Sequence, residues 1–354
     1  MRKSLLVILV VIGIAALAGV ARWRMTPTQS IGDQRALTIF GTTDEALMRP
    51  VLAEYRRGHP RTRLSYVEMD GSALYQRVLS DLEAHRSGPD LVISTAMDLQ
   101  VKLVNDGETV PHNSGNASAL PPWARWRDEA FGITFEPAVM VFNQRLMAGR
   151  PIPRSRSELL DAIGEDLDFW RGKVGTYDIR RSGTGYLLMS QDSRQASDSG
   201  ALFKSFGLAQ VKLAAQSSVL LRQVARGEIA VAYNVVSSYA RRLKASGAPI
   251  EIVYPRDFTL ALLRTAVIPR NAEHPRAAHE FLEFLLAPEG QRALAEQAGL
   301  SAIREDSLSG GSDIAQGGIV RPITLGPGLL VYLDAHKRKR LLDNWDNLTA
   351  KPPE

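Results

Sequence analysis

Between residues 36 and 104 a short apolar run is followed by an amphipathic run three times over, and this alternation limits the fold more than any other feature of the chain. Ala36–Phe40 (ALTIF), Arg63–Met69 and Leu91–Ile93 have the length and composition of strands. After the first come Leu47, Val51, Leu52 and Tyr55 at helical spacing, and after the second Leu74, Val78, Leu79 and Leu82. A third helical stretch runs to about Val104. Strand and helix in strict alternation predict a parallel sheet with helices on both faces.

On such a sheet the loops place their ligand groups at the carboxyl ends of the strands. Thr42 and Thr43 follow the first strand, and Ser94 and Thr95 follow the third, so both hydroxyl pairs fall on one edge. Each of these residues would serve equally as a helix cap. Thr42 and Glu45 have the spacing of a capping box, and Ser72 is placed to cap the second helix.

A second chemically rich stretch is Gly172–Tyr186, GKVGTYDIRRSGTGY. Lys173–Tyr177 reads as a strand, Asp178–Gly183 as a polar loop and Thr184 onward as a helix. The first N–H groups of a helix have no partner within it, and the helix dipole puts partial positive charge there. Ser182 and Thr184 add hydroxyls, Gly183 and Gly185 let a bound group approach the backbone, and Arg180 and Arg181 offer forked cations suited to carboxylate or phosphate. The combination describes an anion-binding nest, and it describes a capped helix after a solvated loop as well.

Further along, Phe131–Asn143 is a long β-prone run able to cross between lobes. Ile229–Tyr233, Ile250–Tyr254 and Leu260–Ile268 read as strands, with helices at Ser218–Arg226, Ala277–Leu286 and Glu289–Gln297. Gly310–Gly318 is a Gly/Ser segment, and the basic cluster Lys337–Arg340 lies on the solvated face of a last helix. At 354 residues, 45% hydrophobic and 23% charged, the chain is globular and long enough for two domains.

Arg2 and Lys3 precede an uncharged run from Leu5 to Val20 that ends in small residues, the pattern of a secretory signal over 1–21. Ala16-Leu17-Ala18 or Gly19-Val20-Ala21 would be the cleavage site, with an uncleaved membrane anchor as the alternative. The net charge is +5, or +3 without Arg2 and Lys3, too mild to imply nucleic acid. There is no cysteine, which excludes disulfides, thiol catalysis and a lipid anchor on cysteine. The six histidines are scattered and neither GxSxG nor HExxH occurs, so no catalytic residues, metal ligands or cofactors are expected.

Taken together, GTTDEALMRPVLAEYRRGHPRTRLSYVEMDGSALYQRV, GPDLVISTAMDLQVKLVNDG, FGITFEPAVMVFNQRLM, GKVGTYDIRRSGTGY and EFLLAPEGQRALAEQAGL resemble extracytoplasmic solute-binding proteins of ATP-driven importers. The nearest branch holds ferric-iron and hexose-phosphate binders and the regulatory proteins of phosphoglycerate transport. The resemblance covers about residues 36–305. It implies the two-lobed type II periplasmic binding fold, an α/β architecture in which each lobe is a mixed, mainly parallel sheet flanked by helices, joined by two crossover strands. Lobe one would be 36–134 plus 262–354, and lobe two 135–261.

The resemblance also implies a monomer, located in the periplasm, that closes on a small ligand held by Thr42, Thr43, Ser94, Thr95, Arg180 to Gly185, Tyr233 and Asn234. An anion, either an organophosphate or a carboxylate, fits the nest. The partner would be an ABC permease or, alternatively, a membrane histidine kinase. Iron carriers of this branch have two adjacent tyrosines where this chain reads Tyr233-Asn234, which argues against iron.

Overall fold

The computed structural model describes residues 35–304 and 318–349. The expected signal segment, the lead-in to residue 34 and nearly all of the Gly/Ser segment lie outside the described residues. The chain begins as the alternation requires, with β1 (Arg35–Gly41), α1 (Glu45–Gly58), β2 (Thr62–Glu68), α2 (Gly71–Glu83), β3 (Leu91–Ser94) and α3 (Met97–Asn105). The long strand β4 (Ala130–Asn143) leads to α4 (Arg156–Glu165), β5 (Val174–Tyr177), α5 (Gly183–Gln195) and α6 (Ser199–Leu208). Then come β6 (Lys212–Ala214), α7 (Ser217–Arg226), β7 (Val231–Val236), α8 (Ser237–Ala245) and β8 (Ile250–Val253). The chain finishes with β9 (Thr259–Pro269), α9 (Pro275–Leu286), β10 (Val320–Pro322) and α10 (Ala335–Thr349).

The strands follow the order β2-β1-β3-β9-β4-β7-β5-β6. β1 pairs in parallel with β2 and β3, and β5 with β6 and β7. The antiparallel pairs fall where the lobes meet, since β9 and β4 run against their neighbours. β4 is the crossing strand. Its residues 131–137 pair with β9 in lobe one, and residues 138–143 pair with β7 and β8 in lobe two. Such a strand is mostly apolar because both faces are covered, and all but Phe135 of its 14 residues are buried, Thr134, Glu136 and Asn143 among them.

The second crossing differs from the expectation. β9 lies wholly in lobe one, and the chain returns through residues 254–258 before it. A third crossing was not foreseen. After β10 pairs with the start of β9, a helical turn at Pro327–Tyr332 packs on α3 of lobe one, and α10 then packs on α6 of lobe two. The assignment of 262–354 to lobe one therefore fails at α10. The reason is an apolar face: Trp345 is 3% exposed and stands edge-on to Phe203 at 5.7 Å. Gly207 lets the helices touch, since a Cβ there would lie 1.9 Å from the Leu348 carbonyl oxygen.

Candidate functional site

The polar loops at the strand ends face each other across the line where the lobes meet, and they enclose a cavity of about 40 Å³. It is small because the lobes are in contact. Thr95 Oγ1 lies 2.6 Å from Thr184 Oγ1, the Tyr239 hydroxyl donates to Asp44 Oδ1 at 3.0 Å, and Gln216 Nε2 donates to Asp70 Oδ1 at 3.2 Å. Beside these bonds the backbones themselves approach. A Cβ on Gly183 of lobe two would lie 2.8 Å from the Ala96 Cβ of lobe one.

Five helices begin at this cavity. Its lining contains their N-cap residues Asp44 (α1), Asp70 (α2), Ser182 (α5), Gln216 (α7) and Val236 (α8). Of these side chains only Ser182 caps its own helix, accepting from Gly185 N at 3.1 Å. The positive ends of helix dipoles from both lobes thus converge on one small space.

Arg264 is the one cation among the described lining residues, and it projects from β9 at the floor of the cleft. It is 1% exposed and donates from Nε to Thr43 Oγ1 at 2.8 Å and from Nη1 to Thr134 Oγ1 at 3.4 Å. Nη1 also donates to Glu136, which is fully buried on the neighbouring strand β4. Its guanidinium lies 5.7 Å from the centre of the Tyr239 ring. Burial works against the charge and Glu136 works for it, and the outcome is a guanidinium held even more firmly protonated than usual.

Of the residues expected at the site, Thr42, Thr95, Ser182 and Thr184 line the cavity. Thr42 does not form the capping box: its Oγ1 accepts from Thr95 N at 3.1 Å, and Asp44 and Asp70 hold the N-cap positions of α1 and α2 without a side-chain bond to their own helix. Thr43 lies one layer below, beneath Arg264, and Ser94 Oγ is spent on Ala96 N at 3.1 Å. Gly183 forms the seam between lobes. Gly185 is packed under Tyr177, whose Cβ a side chain at 185 would meet at 2.3 Å.

Four expected residues stand elsewhere. Arg180 pairs with Asp346 on α10, half exposed, and Arg181 is exposed and outside the cavity lining. Residues 179–181 form a turn on which both arginines are exposed, and the sequence shows no partner for Arg180 because the expected lobes put α10 away from it. Tyr233 and Asn234 face away from the cleft into lobe two. There Arg156 Nε donates to the Tyr233 hydroxyl at 2.8 Å, and Asp192 Oδ2 accepts from the Tyr233 hydroxyl at 2.8 Å and from Asn234 Nδ2 at 2.6 Å. Asn234 has φ +59°, a conformation Asn tolerates better than most residues, and it forms the bulge by which β7 bends against β4.

The sequence reading missed Asp44, Asp70, Gln216, Tyr239 and Arg264. Asp70-Gly71 and Gln216-Ser217 follow strand ends and obey the rule that singled out Thr42. Arg264 had the clearest signal, a lone charge in the apolar strand TLALLRTAVIP. None of the six histidines enters the cleft. His112 instead lies 3.0 Å from both His279 and Glu283 beneath α9.

Behind the Gly183 seam lies a second cavity of about 180 Å³, lined by Tyr75, Asp98, Lys102, Tyr186, Leu333 and Arg338 among others. Burial pushes the Asp98 carboxyl from 3.8 up to about 7, with the Leu99 N–H, the Asp98 N–H and Arg338 acting in the opposite sense. Between about 4 and 7 the folded chain therefore holds a proton that the unfolded chain has released. Stability is expected to fall as pH rises through that window and to level off above it. Asp98→Asn should flatten this part of the profile in urea titrations taken from pH 4.5 to 8, and an unchanged slope would show Asp98 ionised throughout.

No curated protein matches the chain by sequence. Residues 87–309 match the family of bacterial extracellular solute-binding proteins. The substrate-binding protein of an ABC transporter from Agrobacterium tumefaciens is similar over 90% of this chain and 96% of its own, at 33% identity and a TM-score of 0.85. The periplasmic binding protein AfuA of Actinobacillus pleuropneumoniae, solved with exogenous fructose-6-phosphate, shares the fold at 17% identity and a TM-score of 0.76, covering 90% of this chain and 99% of its own. Iron-bound HitA of Pseudomonas aeruginosa does so at 16% identity and a TM-score of 0.73, covering 89% and 99%. With two lobes, a crossing strand and a polar cleft between them, this chain belongs to the bacterial extracellular solute-binding proteins of ABC transporters, in their type II form.

Proposed function

We propose that the protein captures a small anionic solute, an organophosphate or a carboxylate, in the periplasm by closing its lobes, and passes it to an ABC permease. The observation that carries this reading is the convergence of five helix N-termini and Arg264 on one enclosed polar cavity. Each N-terminus brings roughly half a positive charge and first-turn N–H donors, of which Glu45 N is already bonded to Glu68 Oε2 and Gly185 N to Ser182 Oγ. An anion between them draws donors from both lobes at once and so favours the closed form over the open one. Iron has less support, because Tyr233 is committed to Arg156 and Asp192 outside the cleft.

A thermal-shift screen of phosphate esters, carboxylates, neutral sugars and ferric citrate tests the reading, since a ligand of the folded state raises its melting temperature. Stabilisation by anions alone is the expected result, and stabilisation by neutral sugars or iron alone would overturn it. For any anion found, Arg180→Ala should leave the calorimetric affinity within about twofold, because an exposed ion pair contributes about 0–1 kcal/mol and this one lies outside the cleft.

A further inference from the structure

Two carboxylates in the cleft depart from the usual role of their positions. Asp44 and Asp70 are the N-cap residues of α1 and α2, where an aspartate side chain ordinarily accepts from the first-turn N–H groups of its own helix. Neither makes that bond. Asp44 accepts instead from the Tyr239 hydroxyl, and Asp70 from the Gln216 amide, both across the boundary between lobes. These donors are neutral. The cation of the cleft, Arg264, is bonded to Glu136 and not to either of them.

Side-chain charge at the cleft is therefore Arg264 against Glu136, Asp44 and Asp70, an excess of two negative charges. Both aspartates are half-buried, and a ligand seated between them would strip more of their water, which is costly unless a positive charge accompanies it. Hydroxyl groups on a ligand would satisfy their lone pairs but not their charge. The helix N-termini in the same space call for the opposite sign, so one molecule has to answer both demands. We propose that the ligand is a small zwitterion, its anionic group at the N-terminus of α5 and its protonated amine held between Asp44 and Asp70. This rests on the cleft being an anion receptor. With the lobes in contact the cavity of about 40 Å³ has room for roughly three waters, so the compounds that follow carry their two charges a few bonds apart.

The experiment compares matched pairs by calorimetry on the purified protein: 2-aminoethyl phosphate with ethyl phosphate, taurine with ethanesulfonate, and β-alanine with propionate. In at least one pair the amine-bearing member should bind tenfold or more tightly than its partner. In the double variant Asp44→Asn/Asp70→Asn that ratio should fall below about threefold, whatever happens to the absolute affinities. If the carboxylates only latch the lobes together, both members weaken by one factor and the ratio persists, which overturns the zwitterion. Equal binding within every pair overturns it too, while leaving the anion receptor intact. Binding of none of the six compounds, in a protein that some other anion stabilises, excludes a small zwitterion. Failure with every anion removes the anion receptor itself and the zwitterion with it.

Discussion

Replacing Gly183 by valine is expected to hold the lobes apart and to weaken ligand binding at least a hundredfold. Gly183 is the first residue of α5, and a Cβ built on it lies 2.8 Å from Ala96 Cβ and 3.5 Å from Leu99 Cδ1. Unbonded carbons do not approach to 2.8 Å, and both obstacles belong to lobe one. The three heavy atoms nearest that Cβ all belong to lobe one. The φ of Gly183 is outside the left-handed region, and valine in a helix costs under about 1 kcal/mol relative to the best residues. The clash therefore exists only while the lobes are together, and the variant should fold normally by circular dichroism.

An open cleft offers an anion the donors of one lobe alone. Losing two charged hydrogen bonds at about 1.5–3 kcal/mol each gives the hundredfold loss or more. Small-angle scattering should show the parent contracting with saturating ligand and the Gly183→Val variant failing to do so. Binding within threefold of the parent, or equal contraction, would mean that the Gly183–Ala96 approach is not part of closure.

The periodic part of this architecture was legible. Alternating strands and helices at 36–104 and the long β-prone run at 131–143 follow from side-chain spacing and residue type. The edge rule placed Thr42 and Thr95 at the cavity for the same reason, and the strand–loop–helix pattern at 172–186 placed Ser182 and Thr184 there. The placement of Tyr233 and Asn234 that the resemblance implied failed where β7 carries a bulge, with Asn234 at φ +59° and a register shift against β4 between Val139 and Val141. A bulge moves every later side chain relative to the strand's alternation, and no spacing in the sequence announces one. The anion nest failed at Arg180 because the partner, Asp346, is 166 residues away on a helix whose lobe only tertiary packing decides. Two forked cations in a polar loop are an ambiguous signal. A single arginine in an apolar strand is much less so, since burying it demands a partner, and Arg264 has one in Glu136.

That pair makes the last prediction a compound one. Arg264→Met should destabilise the fold by about 3–5 kcal/mol, because it leaves Glu136, 0% exposed, as a buried charge without its cation. Loss of binding in that variant alone would therefore prove little. Replacing both members, Arg264→Met with Glu136→Gln, removes the orphaned charge, and such paired replacements are often close to neutral in stability. The double variant should recover most of the unfolding free energy in urea titrations. Its affinity for an anionic ligand should stay low, by about tenfold to a hundredfold, since a charged donor is worth about 1.5–3 kcal/mol to an anion and no other lysine or arginine is among the described lining residues. A double variant as stable as the parent and binding within threefold of it would leave Arg264 as a hinge fastener between β4 and β9, and the helix N-termini would then have to hold the anion without it.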